Sequence, residues 1–329
     1  MERKIVMIID FNNLIYKCLN HRKWTATNGV EVGAVVNMIN RIKQYKMQID
    51  PDYLVFASDL SRTNTFRRKL YPMYKAQRAP TKTEMHEQMT LASRIIALLG
   101  FPIINDMNYE GDDIIGMVSR FAEDNNMNCV IVSGDHDMYQ LISEYTWILD
   151  PNDSQIIDID EMYRRTGLYP SQWVDYKMLL GDNSDNVPGI ANIGKKAAPN
   201  LMREYGSLEA IYNNIDNLMP AHQAGLLDAK PRLELLRTLM TIVTDYTKIN
   251  LNMDKLRRMD PFPNELYHEM AIIGNTPTSN NVRFYLLRRG RDRSDMVERN
   301  EVVVQQAVNS LDKEYDYQLK GDNNNDSAA

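Results

Sequence analysis

The strongest constraint on the fold is an alternation, in the N-terminal half, between short β-rich apolar runs and longer amphipathic stretches. The apolar runs predict strands at residues 4–9, 53–57, 102–104, 129–133 and 146–149. Helical periodicity occupies residues 32–47, 84–99 and 112–125 between them. This alternation is typical of βαβ units, which build an α/β domain around a mainly parallel sheet with flanking helices.

The second half of the chain has a different pattern. From about residue 157 the strand signal ends, and helical segments separated by Gly, Pro and Asn follow at residues 170–180, 208–214 and 233–244. We therefore predict an α/β domain at 1–156 and a smaller all-helical domain at 157–255. Residues 256–311 form a poorly defined extension with an Arg-rich stretch at 283–299. The acidic tail at 312–329 is expected to be disordered.

Composition excludes several classes of protein. Of 329 residues, 43% are hydrophobic and 25% are charged, which is typical of a soluble globular chain. No apolar run approaches the ~18 residues that span a bilayer, and no secretory leader is visible, so we expect no membrane association. Two cysteines allow neither a disulfide framework nor a zinc site. A cytoplasmic location is expected. The formal charge of −6 taken alone argues against a nucleic-acid partner.

Acidic residues gather just beyond the predicted strands, where open parallel sheets form their sites. There are nine of them, in five groups along the chain: Asp10; Asp59; Glu110, Asp112 and Asp113; Asp135 and Asp137; and Asp182 and Asp185. Any one of them alone could be an ordinary turn or capping residue. Together in one crevice they would repel one another unless cations neutralised them, and oxygen-only ligands suit Mg²⁺ or Mn²⁺. Two such ions can promote phosphodiester hydrolysis, which is the first functional hypothesis.

A basic segment follows Asp59. Residues 60–83 carry seven Lys or Arg and no acid, with Phe66, Tyr71 and Tyr74 interleaved. Cations for phosphates and aromatic rings for bases describe a single-strand binding surface, although a solvated loop has the same composition. Lys75 and Arg78 would share a face if the segment were helical. Residues 81–84 resemble a capping box for the next helix.

The stretch GIANIGK at residues 189–195 matches most of a phosphate-binding GxxxxGK loop, which would indicate an NTPase. Lys196 stands where that motif needs a hydroxyl, and no strand precedes it. The alternative is a hairpin between two helices, in which Gly189 and Gly194 let the backbone approach a nucleic-acid phosphate while Lys195 and Lys196 add charge.

The chain resembles the 5′-3′ exonuclease and flap endonuclease family, especially its phage and bacterial members such as the N-terminal nuclease domain of bacterial DNA polymerase I. The resemblance covers most of residues 4–215. The motifs that carry it are, in order, IIDFNNLIYK, FRRKLYPMYKAQR, YEGDDIIG, VSGDHDMYQL and LLGDNSDNVPGIANIGKKAA followed by YGSLE. It implies a PIN-like domain with a helical arch at about 62–82 over the active site, and a helix-hairpin-helix at about 186–206 in the helical domain.

The resemblance also implies roles for particular residues. One metal ion would be held by Asp10, Asp59, Glu110 and Asp112. The other would be held by Asp135, Asp137, Asp182 and Asp185, with Asp113 acting through water. Lys75 and Arg78 match catalytic residues near the scissile phosphate, and Tyr74 matches a base-stacking position. Further nucleic-acid contacts are expected from these residues together with Arg67, Gly189, Gly194, Lys195 and Lys196.

The resemblance implies a structure-specific nuclease with two Mg²⁺ ions, replaceable by Mn²⁺, and K⁺ at the hairpin. Its partners would be DNA with a 5′ flap, nick or 5′ end, RNA–DNA hybrids including replication primers, and a replication protein bound through the C-terminal region. We expect a monomer in the cytoplasm, that of the host if the chain is phage-encoded. A PIN-type ribonuclease is the alternative, ahead of the NTPase.

The hairpin departs from the family pattern in two places. Asn192 stands where a second Gly is usual, and Pro199 falls inside the expected following helix, where it would remove a hydrogen bond. The net charge is also less simple than its total. Removing nine metal-site acids from −6 leaves +3, and omitting the tail leaves +6, so the body of the chain is basic.

Overall fold

The computed structural model describes residues 3–19, 23–60 and 64–286, except for the side chains of residues 284 and 285. The predicted acidic tail and most of the Arg-rich stretch lie outside the described residues. Eight strands are present: β1 (Ile5–Asp10), β2 (Tyr53–Ala57), β3 (Ile103–Ile104), β4 (Asn128–Val132), β5 (Thr146–Leu149), β6 (Ile156–Ile157), β7 (Gly181–Asp182) and β8 (Val187–Pro188).

Fourteen α-helices accompany these strands in the described ranges. In the first half they are α1 (Phe11–Leu19), α2 (Gly33–Ile49), α3 (Phe66–Leu70), α4 (Thr83–Leu98) and α5 (Gly111–Asp124). In the second half they are α6 (Ile159–Thr166), α7 (Trp173–Leu180), α8 (Ala197–Tyr205), α9 (Leu208–Asn213), α10 (Pro220–Ala229), α11 (Leu233–Met240), α12 (Met253–Leu256), α13 (Pro263–Ile273) and α14 (Thr276–Asn281). Short 3-10 helices include His136–Leu141, and a π-helix spans Val282–Leu286.

The main sheet has the order β3-β2-β1-β4-β5-β6. Its first five strands are parallel and β6 is antiparallel at the edge, which confirms the predicted mainly parallel α/β architecture. β1 is central because its residues are apolar on both faces, as expected for a strand covered on both sides. Val6 and Ile8 point into the core shared with α5 and the helical domain, whereas Met7 and Ile9 point into the core under α1, α2 and α4.

The predicted helix at 32–47 ends with a clear stop signal. Asp50 has a left-handed conformation (φ 46°) and its N–H donates to the carbonyl oxygen of Lys46, and Pro51 follows. The capping box predicted at residues 81–84 is wrong. Lys82 is the N-cap of α4 and makes no side-chain cap hydrogen bond.

The helical domain is not all-helical, because β7 and β8 form a small antiparallel pair between α7 and α8. Beyond it, the extension packs back on the first domain. Leu266, Met270 and Ile273 of α13 are buried with α2 and α4, and Arg258 donates to the carbonyl oxygens of Leu99 and Leu286. Gly100 makes this return possible, since a Cβ there would lie 2.1 Å from the carbonyl oxygen of Met259. No described helix has the length and hydropathy needed to cross a membrane.

Candidate active site

Parallel pairing of three neighbouring strands brings their terminal aspartates to one edge of the sheet. Asp10 is the last residue of β1 and is in register with Ala57 of β2, while Asp59 and Asp135 follow β2 and β4. Asp112, in the first turn of α5, joins them. These four carboxylates therefore lie at the carboxyl ends of the parallel strands, as the order of the elements predicts.

Three of these carboxylates form what we call the open group: Asp10, Asp112 and Asp135. None of the three forms an ion pair with a residue that the structure describes. Asp10 accepts hydrogen bonds from Ser133 Oγ (2.8 Å) and the Asn13 N–H (2.9 Å). Burial nevertheless raises the pKa of Asp10 to about 7, with Asp59 and Asp135 adding repulsion. Desolvation, followed by the charges of Asp135 and Asp10, also raises the pKa of Asp112 well above its usual range.

Asp59 lies beside the open group and helps to fix α5. Its Oδ1 accepts a hydrogen bond of 2.6 Å from the Gly111 N–H at the start of that helix. The contact orients the helix N-terminus, and with it Asp112, toward the strand ends.

A second set, the closed group, consists of Glu110, Asp137, Asp182 and Asp185, each of which contacts a Lys or Arg. Lys75 Nζ lies 2.6 Å from Glu110 Oε1 and 3.7 Å from Asp185 Oδ2, and Arg78 Nη2 lies 2.7 Å from Asp185 Oδ1. Although burial opposes it, the charges of Glu110 and Asp185 raise the pKa of Lys75, so its ammonium stays protonated. The two predicted catalytic cations thus both contact acids, although the Arg78 side chain remains 49% exposed.

The second half of the closed group is held by Lys177 of α7. Its Nζ lies 2.7 Å from Asp137 Oδ1 and also contacts Asp182 Oδ2. The two acids respond differently. Burial raises the pKa of Asp137 to about 6 against the attraction of Lys177. Burial also acts to raise the pKa of Asp182, but hydrogen bonds from Lys177, Ser184 and the Asp185 N–H lower it to about 2.

The arch segment, residues 62–82, differs from the prediction. Of its described part, only Phe66–Leu70 is helical, and turns follow in which Lys75 has a positive φ of 53°. Lys75 and Arg78 therefore do not share a helical face. They meet the same acid because the Lys75 N–H donates to the Asp185 carbonyl oxygen (2.9 Å), which holds the segment against the site.

Tyr74 is not available for base stacking in this structure. Only 3% of it is exposed, and its hydroxyl lies 2.8 Å from both Glu110 Oε2 and Asp185 Oδ2. The phenol bridges the two acids, which explains its burial. The predicted stacking role is contradicted for the arrangement seen here.

Arg67 and Asp113 lie in surroundings that differ from the predicted nucleic-acid contact and water-mediated metal ligand. Arg67 is 3% exposed and Asp113 is fully buried, and they form a bidentate ion pair of 2.6 and 2.7 Å. The guanidinium also donates to the carbonyl oxygens of Leu239 and Thr241. Both residues are buried, so the pair joins the arch segment and α5 to the end of α11 and the residue that follows it.

The residues of the site fit divalent ions in chemistry but do not yet form a coordination shell. All candidate donors are carboxylate oxygens, as Mg²⁺ and Mn²⁺ prefer. In the described part of the chain, no three acidic, His or Cys side chains converge closely enough to hold an ion. Lys75 and Lys177 occupy oxygens of the closed group that an ion would use.

The predicted helix-hairpin-helix keeps two exposed lysines at its tip. Gly194, Lys195 and Lys196 are exposed and lead directly into α8. Gly189 serves packing instead, since a Cβ there would lie 2.4 Å from the backbone of Leu180. Asn192 takes the left-handed conformation (φ 65°) that a Gly would otherwise supply.

Pro199 does not disrupt the helix after the hairpin. It is the third residue of α8, where the backbone N–H has no intrahelical acceptor in any case. The predicted loss of a hydrogen bond is therefore wrong.

Lys177 is the site residue that the sequence did not reveal. Its only signal is its position five residues before Asp182 on a predicted helix, and that spacing carries no information until the turn at Gly181 is known. Ser133 is a second such residue: its hydroxyl donates to Asp10 Oδ2 across neighbouring strands, a contact that depends on the pairing of β1 with β4.

Two family models match this chain in succession. Residues 5–167 match the 5′-3′ exonuclease N-terminal resolvase-like domain, and residues 168–264 match the 5′-3′ exonuclease C-terminal SAM fold. Among solved structures, the D15 protein of bacteriophage T5 co-crystallised with metal ions aligns with a TM-score of 0.59 at 20% identity, covering 81% of this chain and 99% of that one. The catalytic core of Rad2 in complex with a DNA substrate aligns at 0.55 and 16% identity, covering 88% and 93%. These likenesses show a shared fold.

The sequence is also similar to those of DNA polymerase I proteins. The thermostable DNA polymerase I of Thermus thermophilus is 34% identical over 257 residues, which is 78% of this chain and 30% of the relative. The DNA polymerase I of Caldicellulosiruptor bescii is 30% identical over 310 residues, or 90% of this chain and 36% of the relative. This chain thus spans about a third of the length of these relatives. Since the two exonuclease models together cover residues 5–264, the chain belongs to the 5′-3′ exonuclease family.

Proposed function

We propose that this chain is a metal-dependent nuclease that hydrolyses phosphodiester bonds at the 5′ ends and 5′ flaps of DNA. The observation that carries the proposal is the open group. Burial and the nearby charge of Asp135 raise the pKa of Asp10 and of Asp112, and the described part of the chain offers none of the three an ion pair. Such a cluster of acids is stable as anions only when a cation joins it.

The residues that would hold two divalent ions are those of the open and closed groups together with Asp59. Mg²⁺ is the expected ion, with Mn²⁺ as a substitute. When bound, such ions supply Lewis-acid activation of a water and neutralise the departing oxygen. Asp113 is not part of this set, because Arg67 occupies both of its oxygens.

Basic side chains would bind the scissile phosphate and the duplex. Lys75 and Arg78 lie at the edge of the carboxylates and would exchange Glu110 and Asp185 for the phosphate, where fixed cations offset developing charge. Lys195 and Lys196 would bind the duplex backbone through charge rather than sequence. Carbonyl oxygens of residues 187–193 would hold K⁺. Substrates of this site would include nicks and RNA–DNA hybrids as well as flaps.

The setting of this activity is proposed as well. We expect the chain to act as a monomer in the cytoplasm, with the region after residue 286 as the place for a replication partner.

The direct test is cleavage of a 5′-labelled DNA flap with Mg²⁺, resolved by product length. Asp135→Asn should abolish cleavage and leave flap binding nearly unchanged, because the amide can still accept the hydrogen bond from the Asp137 N–H that Asp135 Oδ1 accepts (2.9 Å). Asp216→Asn, an exposed acid in the helical domain, is the matched control. Full activity in EDTA would overturn the proposal. Faster cleavage of single-stranded RNA than of the flap would favour a PIN-type ribonuclease.

A further inference from the structure

We propose that Lys177 is an internal cation that occupies the second metal position, so that an ion binds Asp137 and Asp182 only after the ammonium leaves. This inference rests on the proposed metal-dependent function. It adds an order of binding: the open group takes its ion first, and the position held by Lys177 takes the second.

The geometry places one ammonium between two proposed ligands. Lys177 Nζ lies 2.7 Å from Asp137 Oδ1 and contacts Asp182 Oδ2. A divalent ion would use the same oxygens at about 2.1 Å. The ammonium and the ion therefore exclude each other.

The contact also joins two parts of the fold. Asp137 lies in the 3-10 helix that follows β4, whereas Lys177 and Asp182 lie in α7 and β7 of the helical domain. In the absence of an ion, the ammonium keeps these acids together at low electrostatic cost. The Lys177 side chain thus keeps Asp137 and Asp182 close to each other before an ion binds.

The contacts of Lys177 differ from those of a purely structural ion pair. The Arg67–Asp113 pair is the example of a structural pair in this chain. Arg67 is 3% exposed and also donates to two backbone carbonyl oxygens. The Lys177 side chain is 14% exposed and, among the described residues, donates only to the two carboxylates. Its flexible stem can rotate away from the pocket without breaking a bond to the backbone.

Once an ion has displaced it, the Lys177 ammonium would be stabilised by another anion, and a DNA phosphate is such an anion. Substrate and the second ion should therefore each favour binding of the other. Without DNA, the chain should bind one ion tightly and a second one weakly.

The test is Mn²⁺ binding to the full chain without DNA, measured by isothermal titration calorimetry and by electron paramagnetic resonance of free Mn²⁺. In Lys177→Met the weak ion should bind at least about tenfold more tightly, while the tight ion is unchanged. Lys177→Arg keeps the charge and should retain the weak site. Lys230→Met, an exposed lysine elsewhere in the helical domain, is the control.

Thermal unfolding supplies a second measurement. Lys177→Met leaves two acids without their cation, so Mn²⁺ should raise its melting temperature more than that of the wild type. If the methionine variant does not fold, Lys177→Gln makes the same test with a neutral hydrogen-bond donor.

Three results would overturn the inference: unchanged affinities in both neutral variants, loss of the second ion in them, or two equally tight ions in the wild type. Failure of the proposed function is distinguishable, because then the wild type itself would cleave no flap in Mg²⁺.

Discussion

The open and closed groups differ in how the repulsion between their clustered carboxylates is reduced. In the closed group, each acid forms an ion pair with at least one of Lys75, Arg78 and Lys177, and Glu110 also with Arg67. In the open group, Asp10 and Asp112 have raised pKa values and no ion pair among the described residues. Acids of the same site are therefore balanced differently: those of the closed group by neighbouring Lys and Arg side chains, and Asp10 and Asp112 by a raised pKa.

The difference shows that a carboxylate in an acidic pocket is not by itself evidence of a ligand. Asp113 is the most buried acid of the set and yet its partner is Arg67. Asp10 and Asp112 differ from Asp113 in two respects: neither has an ion pair among the described residues, and burial raises the pKa of both.

Loss of Arg67, the buried partner of Asp113, should have the largest effect, and that effect is on the free energy of unfolding. Arg67→Met leaves the buried Asp113 charged and unpaired, so we expect the free energy of unfolding to fall by about 3 to 5 kcal/mol. Urea denaturation followed by circular dichroism measures it. The double variant Arg67→Met with Asp113→Leu should recover part of the loss. An unchanged unfolding midpoint in Arg67→Met would show that the pair is not structural.

Removal of a cation from the closed group should affect catalysis rather than folding. Lys75→Ala should lower single-turnover cleavage by about 10²- to 10³-fold, since a donor aimed at developing charge is worth about that much. Flap affinity should change little. Lys69→Ala, an exposed lysine of the same segment, is the control. If only affinity falls, the catalytic role of Lys75 is wrong.

The open group should make metal-free stability depend on pH. The pKa of Asp10 is about 7 in the folded chain and 3.8 in a model peptide. Because the folded state holds this proton more tightly, stability should fall as pH rises from 4 through 7. In EDTA at pH 8, Asp10→Asn should therefore be more stable than the wild type, by on the order of 2 kcal/mol. Mg²⁺ should reverse that ranking. Equal melting temperatures from pH 5 to pH 8 would contradict the raised pKa.

The smallest expected effect lies outside both groups. Neutralising Lys195 and Lys196 together should reduce the slope of log K against log salt concentration for duplex binding by about two. The rate of cleavage of bound substrate should be unaffected. Fluorescence anisotropy at several salt concentrations measures the slope. Replacing Lys230 and Lys248 with alanine should leave the slope unchanged. If the hairpin variant behaves like that control, the hairpin does not contact the duplex.

The sequence was sufficient for β1 to β5, although not for the two-residue strands β6 to β8, and for the acids that follow β1, β2 and β4. Asp10, Asp59 and Asp135 could be brought together because parallel strands end at the same edge, and that rule needs only the order of elements. It was also sufficient to separate a mainly parallel domain from a mostly helical one.

Contacts between distant segments could not be found in this way. Arg67 contacts the carbonyl oxygens of Leu239 and Thr241, which are more than 170 residues away. Nothing in a basic run distinguishes a cation that binds DNA from one buried against another helix. Tyr74 and Lys177 were hidden for the same reason, because their partners depend on how the helical domain packs on the sheet.

The return of the chain to the first domain has a practical consequence for shortening it. The family match ends at residue 264, but Leu266, Met270, Ile273, Val282 and Leu286 are buried against α2 and α4. A version cut at residue 264 would expose an apolar face of the nuclease domain and should aggregate. The smallest independently folding unit therefore extends at least to residue 286, beyond the region that family similarity alone would delimit.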